Sequence, residues 1–145
     1  MNTIRVKKVR DNAQIPTYGS AESAGADLYA CLDAAVTIQP GETAWIPTGI
    51  ALEVPKECAG LIYARSSLGT KRGLAPANKV GVVDSDYRGE IQVVLYNHGA
   101  SAQTVDNGER IAQFLITPVL TPEYIEVDQL SDTDRGTGGF GSTGS

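Results

Sequence analysis

Val36-Thr37-Ile38-Gln39-Pro40-Gly41-Glu42-Thr43-Ala44-Trp45-Ile46-Pro47-Thr48-Gly49-Ile50-Ala51-Leu52-Glu53-Val54 sets short apolar runs between Pro and Gly breakers. Residues 36–38, 43–46 and 49–54 are rich in β-branched and large apolar side chains, the composition of a pleated, half-buried surface. None is long enough to carry a helical apolar period through three turns. The same pattern runs outward in both directions. Upstream lies 4–9; downstream lie 60–63, 90–97, 103–105 and 111–119, each bounded by Gly, Pro, Asn or Asp. With 16 glycines and 7 prolines in 145 residues, helix signals are weak throughout. The expected fold class is all-β, a jelly-roll-like barrel or sandwich. Pro40-Gly41, Asn107-Gly108 and 84–89 read as hairpin connections, and 66–72 as one short helical turn whose serines could cap exposed N–H groups.

The chain length suits one core. Residues 1–134 are expected to form that single domain. From Arg135 the composition changes to Arg-Gly-Thr-Gly-Gly-Phe-Gly-Ser-Thr-Gly-Ser, five glycines in eleven residues, which cannot bury a core of its own. Residues 135–145 are therefore expected to be a flexible arm.

A net charge of -5 argues against a polymeric nucleic-acid ligand, whose affinity comes chiefly from Lys and Arg neutralising phosphates. The longest apolar stretch, 111–120, is interrupted by Gln113, Thr117 and Pro118 and falls short of the ~20 residues of a membrane span. Cys31 and Cys58 have no metal or redox spacing, and the start Met1-Asn2-Thr3-Ile4-Arg5 is polar. A cytoplasmic protein with reduced thiols is expected.

Common hydrolytic chemistries fail on inventory. His98 is the only histidine, so neither a Ser-His-Asp triad nor a Cys/His metal site is well supplied. Gly136, Gly138 and Gly141 match GxGxxG, but only four residues follow, too few for the helix that a dinucleotide site needs. Charge distribution says more. Between 64 and 80 stand Arg65, Lys71, Arg72 and Lys79 with no acid, and Asp84 and Asp86 follow. Arg65-Ser66-Ser67 is either a phosphate clamp or a solvated basic loop. Asp84 and Asp86, two apart, would share a face on an extended chain, as a base or a hydrated metal requires, or serve a turn. Asp27 is a turn residue or an ion ligand.

Five ordered stretches decide among these. Ala24-Gly25-Ala26-Asp27-Leu28, Arg65-Ser66-Ser67-Leu68-Gly69, 81–89 (Gly-Val-Val-Asp-Ser-Asp-Tyr-Arg-Gly), Gly108-Glu109-Arg110-Ile111-Ala112-Gln113 and 135–144 together resemble the trimeric dUTPases over nearly the whole chain. Ala64 departs from the family's usual proline, and Val83 from its common isoleucine.

The resemblance implies a homotrimeric, Mg²⁺-dependent dUTP diphosphatase with sites shared between subunits. Asp84 would orient and deprotonate the attacking water. Arg65, Ser66, Ser67, Gln113 and Arg135 would bind phosphates, Gly69 would be a further substrate-binding residue, and Asp27 would hold the metal through water. Asn78, Gly81 and Val83 would take the uracil edge, with Tyr87 against deoxyribose. Phe140, Gly141, Ser142 and Thr143 would close over the substrate. A dCTP deaminase has a similar 84–89 loop, but a catalytic glutamate on the next strand; here that position is Val94. A non-catalytic binding module is the alternative from another class.

Overall fold

The structure, a computed structural model, describes residues 3–141 and 144. Eleven strands and one short helix make up its regular elements. The strands are β1 (Arg5–Lys8), β2 (Ala26–Tyr29), β3 (Val36–Ile38), β4 (Thr43–Pro47), β5 (Ile50–Glu53), β6 (Cys58–Tyr63), β7 (Leu74–Pro76), β8 (Gly81–Val83), β9 (Gln92–Asn97), β10 (Gln103–Val105) and β11 (Arg110–Pro118). The helix, Leu68–Arg72, is a single wide turn of π type. The all-β expectation holds, with eleven strands against one five-residue helix; no described helix is long and apolar enough to cross a membrane.

The strands form a four-stranded sheet in the order β2-β11-β6-β8, a three-stranded sheet β4-β9-β7, and two ribbons, β1-β5 and β3-β10. Every pairing is antiparallel. The inward side chains form one cluster, with Leu28, Ile62, Val83 and Phe114 from the larger sheet packed with Ile46, Leu74, Val93 and Leu95 from the smaller. The result is an open jelly-roll-like sandwich rather than a closed barrel.

No strand pairs with its neighbour in sequence, which corrects the three expected hairpins. The turns exist, but each carries the chain across to another sheet. At Pro40-Gly41, Glu42 N–H bonds the Gln39 carbonyl and Gly41 takes φ +80°. What docks on this turn is the end of β9. Gly41 N–H donates to the Asn97 carbonyl, Asn97 N–H to the Glu42 carbonyl, and the fully buried Asn97 amide to the Ile38 carbonyl. Gly108, at φ +82°, likewise donates to the Ala30 carbonyl beyond β2, and Asn107 Oδ1 accepts Leu32 N–H. Turn chemistry fixed the reversals; burial and backbone satisfaction chose the partners.

The strands that the sequence did not reveal are β2, β7 and β8. Each has three or four residues, and β2 is buried at Ala26, Asp27 and Leu28 in succession, so it lacks the period-2 alternation that marks a strand. The short helix lies where it was expected, but without the serine cap: Ser67 makes no side-chain capping bond, and the hydroxyl that does bond locally is Thr70's, to the Ser66 carbonyl.

Beyond Val119, whose N–H reaches the Glu57 carbonyl, the described residues form no strand or helix and are exposed one after another to Thr137. The exposed stretch therefore begins well before the compositional change at Arg135.

Phe114 on β11 lies across Gly60 on β6, so closely that a Cβ at position 60 would overlap the ring. Gly60→Ala is expected to cost about 1–3 kcal/mol by overpacking. Phe114→Leu, which removes the ring, should make the two changes less than additive in a denaturant-melt double-mutant cycle.

Candidate active site

Two recesses collect the charged and polar residues singled out in the sequence, and they share no lining residue. The first, about 290 Å³, brings together Asn78, Gly81, Val83, Asp84 and Tyr87. The second, about 310 Å³, brings together Asp27, Arg65, Ser66 and Gln113. A larger recess of about 500 Å³ is lined mainly by apolar side chains, with no carboxylate, ammonium or guanidinium among them.

The first recess is built on β8, an edge strand of the four-stranded sheet. An edge strand leaves one row of backbone N–H and C=O groups without a ladder partner. Val83 turns its side chain into the core, so what it can offer a ligand is backbone. Asp84 follows at once and is exposed. It does not share a face with Asp86 along an extended chain: Tyr87 N–H donates to the Asp84 carbonyl at 3.2 Å and closes a turn, and Asp84, not Asp86, lines the recess. This corrects the paired-carboxylate geometry. No guanidinium or ammonium lines this recess.

The second recess is cationic. Arg65 Nε donates to Asp27 Oδ1 at 2.9 Å, and Arg110 Nη1 stands 3.6 Å from Asp27 Oδ2, so a buried strand carboxylate faces two guanidiniums. Such charges are tolerated away from water because each has a partner. Gln113 donates from Nε2 to the Ala64 carbonyl at 2.8 Å. Its approach depends on Gly25, where a Cβ would lie 2.6 Å from Gln113 Oε1. Asp27 is thus neither a turn residue nor part of a carboxylate cluster; among the described residues no three His, Cys, Asp or Glu side chains gather as a metal site would need.

Ser67, at the N-cap, and Gly69, on the helix, stand beside this recess rather than in its lining, with Gly69 N–H on the Arg65 carbonyl at 2.9 Å. Arg72 anchors that helix, donating to Gln103 Oε1 at 3.0 Å and Glu109 Oε2 at 3.1 Å. Among the described residues, those of the tail reach neither recess. Arg135 Nε bonds the Gly138 carbonyl, and Phe140 is fully exposed. Gly141 takes φ +87°, and Ser142 and Thr143 lie outside the described residues.

The dUTPase family model matches residues 11–144. The chain belongs to the dUTPase family. A deoxyuridine 5'-triphosphate nucleotidohydrolase of Desulfitobacterium hafniense is 50% identical over 149 residues, covering 99% of each chain. One of Acinetobacter baylyi is 47% identical, covering 90% of this chain and 87% of its own. Among solved structures, the dUTPase of Staphylococcus bacteriophage 80alpha with dUPNHPP is 28% identical and superposes with a TM-score of 0.91 over 100% of both chains.

Three residues at or beside these recesses went unassigned in the sequence. Arg110 reaches Asp27 because a β-bulge between Arg110 and Ala112 shifts the β11–β2 register, and bulges re-aim side chains. Its place in the Gly108–Gln113 stretch was the available signal. Trp45, 70% exposed at the rim of the first recess, gave none. Glu90 supports the same recess from behind, accepting Arg10 Nε at 2.7 Å, Arg10 Nη2 at 3.1 Å and Gly49 N–H at 2.9 Å.

The Arg10 hydrogen bonds hold the Glu90 carboxyl below the usual carboxylate range. A carboxylate lowered in the fold stabilises above its unfolded pKa and loses that contribution as pH falls through the folded value. The stability advantage of wild type over Glu90→Gln should therefore be full above about pH 5 and shrink below the ordinary glutamate pKa of about 4.3. Urea melts across that range would expose a pH-independent difference, the result that contradicts it.

Proposed function

We propose that the two recesses are complementary halves of one dUTP site, completed when copies of the chain assemble, and that hydrolysis proceeds by in-line attack of an Asp84-activated water on the α-phosphorus. The reaction itself comes with the family: a dUTPase is a dUTP diphosphatase and turns dUTP into dUMP. The observation that carries the proposal is the division of chemistry. One recess has the Asp84 and Glu90 carboxylates, an edge-strand backbone and the Trp45 and Tyr87 rings but no cation, and the other has two guanidiniums around Asp27, with Ser66 and Gln113.

In this reading the free edge around Gly81–Val83, with Asn78, pairs with the uracil edge. Cytosine would set a donor against a donor there, and polar mismatches of that kind discriminate by ~10⁴–10⁵. Tyr87 lies against deoxyribose. Arg65, Ser66 and Gln113 spread charge relief over the phosphates, with Ser67 and Gly69 at the helix start behind them. Asp84 takes the proton of the attacking water.

When bound, a Mg²⁺ ion carried by the phosphates supplies further charge neutralisation. The residues fit it at one remove. Both Asp27 oxygens already face guanidiniums, which leaves Asp27 open to a water of hydration rather than to the bare metal.

Residues 135–145 form the arm that closes the site, with Arg135 on the γ-phosphate, Phe140 over the base, and Gly141, Ser142 and Thr143 beside it. Residues 1–134 then stand as the domain that carries it. Trimer formation is supported by Leu120, Tyr124, Ile125 and Leu130, each more than 70% exposed on the segment before the arm, an apolar burden that assembly would bury. The cellular consequence is cytoplasmic removal of dUTP, which limits uracil in DNA and supplies dUMP for thymidylate.

Product analysis with dUTP, dCTP, dTTP and UTP in Mg²⁺ should find dUTP turned over with pyrophosphate released, and chelator should abolish activity. Ammonia from dCTP would install a deaminase instead. Asp84→Asn should lower kcat by ~10²–10⁴-fold with little change in dUTP affinity.

Sharing of the site is tested by mixing Asp84→Asn chains one to one with chains ending at Asp134, then unfolding and refolding. A site works only when Asp84 comes from one kind of chain and the arm from the other, so about a quarter of wild-type activity per site should return. No recovery after verified mixing would sink sharing and leave the hydrolase standing.

A further inference from the structure

Glu90 closes the loop that begins at Asp84, and its two ends do different things. Its carboxylate takes the two-pronged bond from Arg10 and the Gly49 N–H. Its backbone carbonyl accepts the Tyr87 hydroxyl at 2.9 Å. Tyr87 thereby folds back over Gly89, where any Cβ would collide with the phenol oxygen.

The carbonyl that anchors the ring is itself clamped. Ile91 N–H donates to the Ile50 carbonyl at 2.8 Å, and the Ile91 carbonyl accepts Thr48 N–H and Thr48 Oγ1. Val9 N–H donates to the Gly49 carbonyl, tying the segment that carries Arg10 to the same turn. Gly49 has φ +73°, and a Cβ there would lie 2.7 Å from Ala13 Cβ and 2.8 Å from Cys31 Sγ, so this turn admits only glycine.

Asp84, at the other end of the loop, is held by the pairing of Val83 with Gly60 and by the Tyr87 N–H on its carbonyl, backbone bonds that do not involve the Tyr87 ring. Loosening Glu90 would free the ring without moving the carboxylate. Excluding one extra hydroxyl by collision requires a wall that does not yield, and apolar walls alone reject a hydroxyl by only ~10².

We propose that Arg10 and Glu90 are positioning residues for Tyr87, and that through it they set the choice of deoxyribose over ribose. This rests on the placement of the sugar against Tyr87. A bidentate guanidinium–carboxylate pair suits the role, since it fixes orientation as well as distance.

The test is kcat/KM for dUTP and UTP in wild type, Glu90→Gln, Arg10→Met, the double variant and Tyr87→Ala, with melting temperatures for each. Both single variants should lower the dUTP/UTP ratio about tenfold, chiefly because UTP improves, with kcat on dUTP held within about threefold. The double variant should be no worse than either single one, because both break the same link. Arg10→Lys, which keeps the charge and loses the fork, should fall between. Mere destabilisation does not improve a poor substrate.

An unchanged ratio in folded Glu90→Gln and Arg10→Met, or equal losses on both substrates, would overturn the proposal. Should Glu90→Gln fail to fold, the two Arg10 variants at the more exposed end of the pair decide it in the same way. Tyr87→Ala separates the levels. Its ratio should collapse; if it stays at wild type the sugar placement is wrong and the proposal falls with it. A collapse there beside unchanged pair variants sinks the proposal alone.

Discussion

Strand β11 is the element on which the rest depends, because it pairs with β2 on one side and β6 on the other. That double pairing brings Asp27, Gln113 and the Arg65 loop after Tyr63 to one end of a sheet, though they are far apart in the chain. The bulge between Arg110 and Ala112 adds the second guanidinium to the same point. Without β11 in register, Asp27 would be a buried carboxylate without partners, which is costly. Register and charge pairing therefore support one another.

The same sheet makes the other recess at its opposite edge. β8 lies two strands from β11, with β6 between them, and its outer edge is free. Cationic and carboxylate-bearing recesses thus belong to one rigid sheet but occupy its two sides. This separation is the observation on which the proposed sharing of one dUTP site between copies of the chain rests.

Polar groups buried in this sandwich serve its joints. Among the described residues, Asn97, Thr48 and Asp27 are the buried polar or charged side chains, and each ties an element to a partner remote in sequence: Asn97 to the Ile38 carbonyl, Thr48 to the Ile91 carbonyl, Asp27 to Arg65. None of the described buried side-chain polar atoms lacks a partner. A fold made of non-local pairings has few local restraints to hold its crossovers, and these bonds supply them.

The sequence alone determined the β class, most strands, and the motifs that mark the family. Those properties are local: β-branched runs between Gly and Pro breakers, Asp84 beside a basic segment, a glycine-rich end that cannot bury itself. It also marked where the chain turns, at Pro40-Gly41 and Asn107-Gly108. Only the tertiary structure decided what those turns join, since two residues set a reversal while the partner is chosen by burial and backbone satisfaction across the whole core. It turned Asp84 and Asp86 apart through one Tyr87 hydrogen bond, and it set Arg110 on Asp27 through a bulge no spacing announces. It also joined Arg10 to Glu90 across 80 residues. Pairing at that range leaves no periodicity in the chain, because its specificity lies in the relative placement of two surfaces that exist only once the sheets have packed.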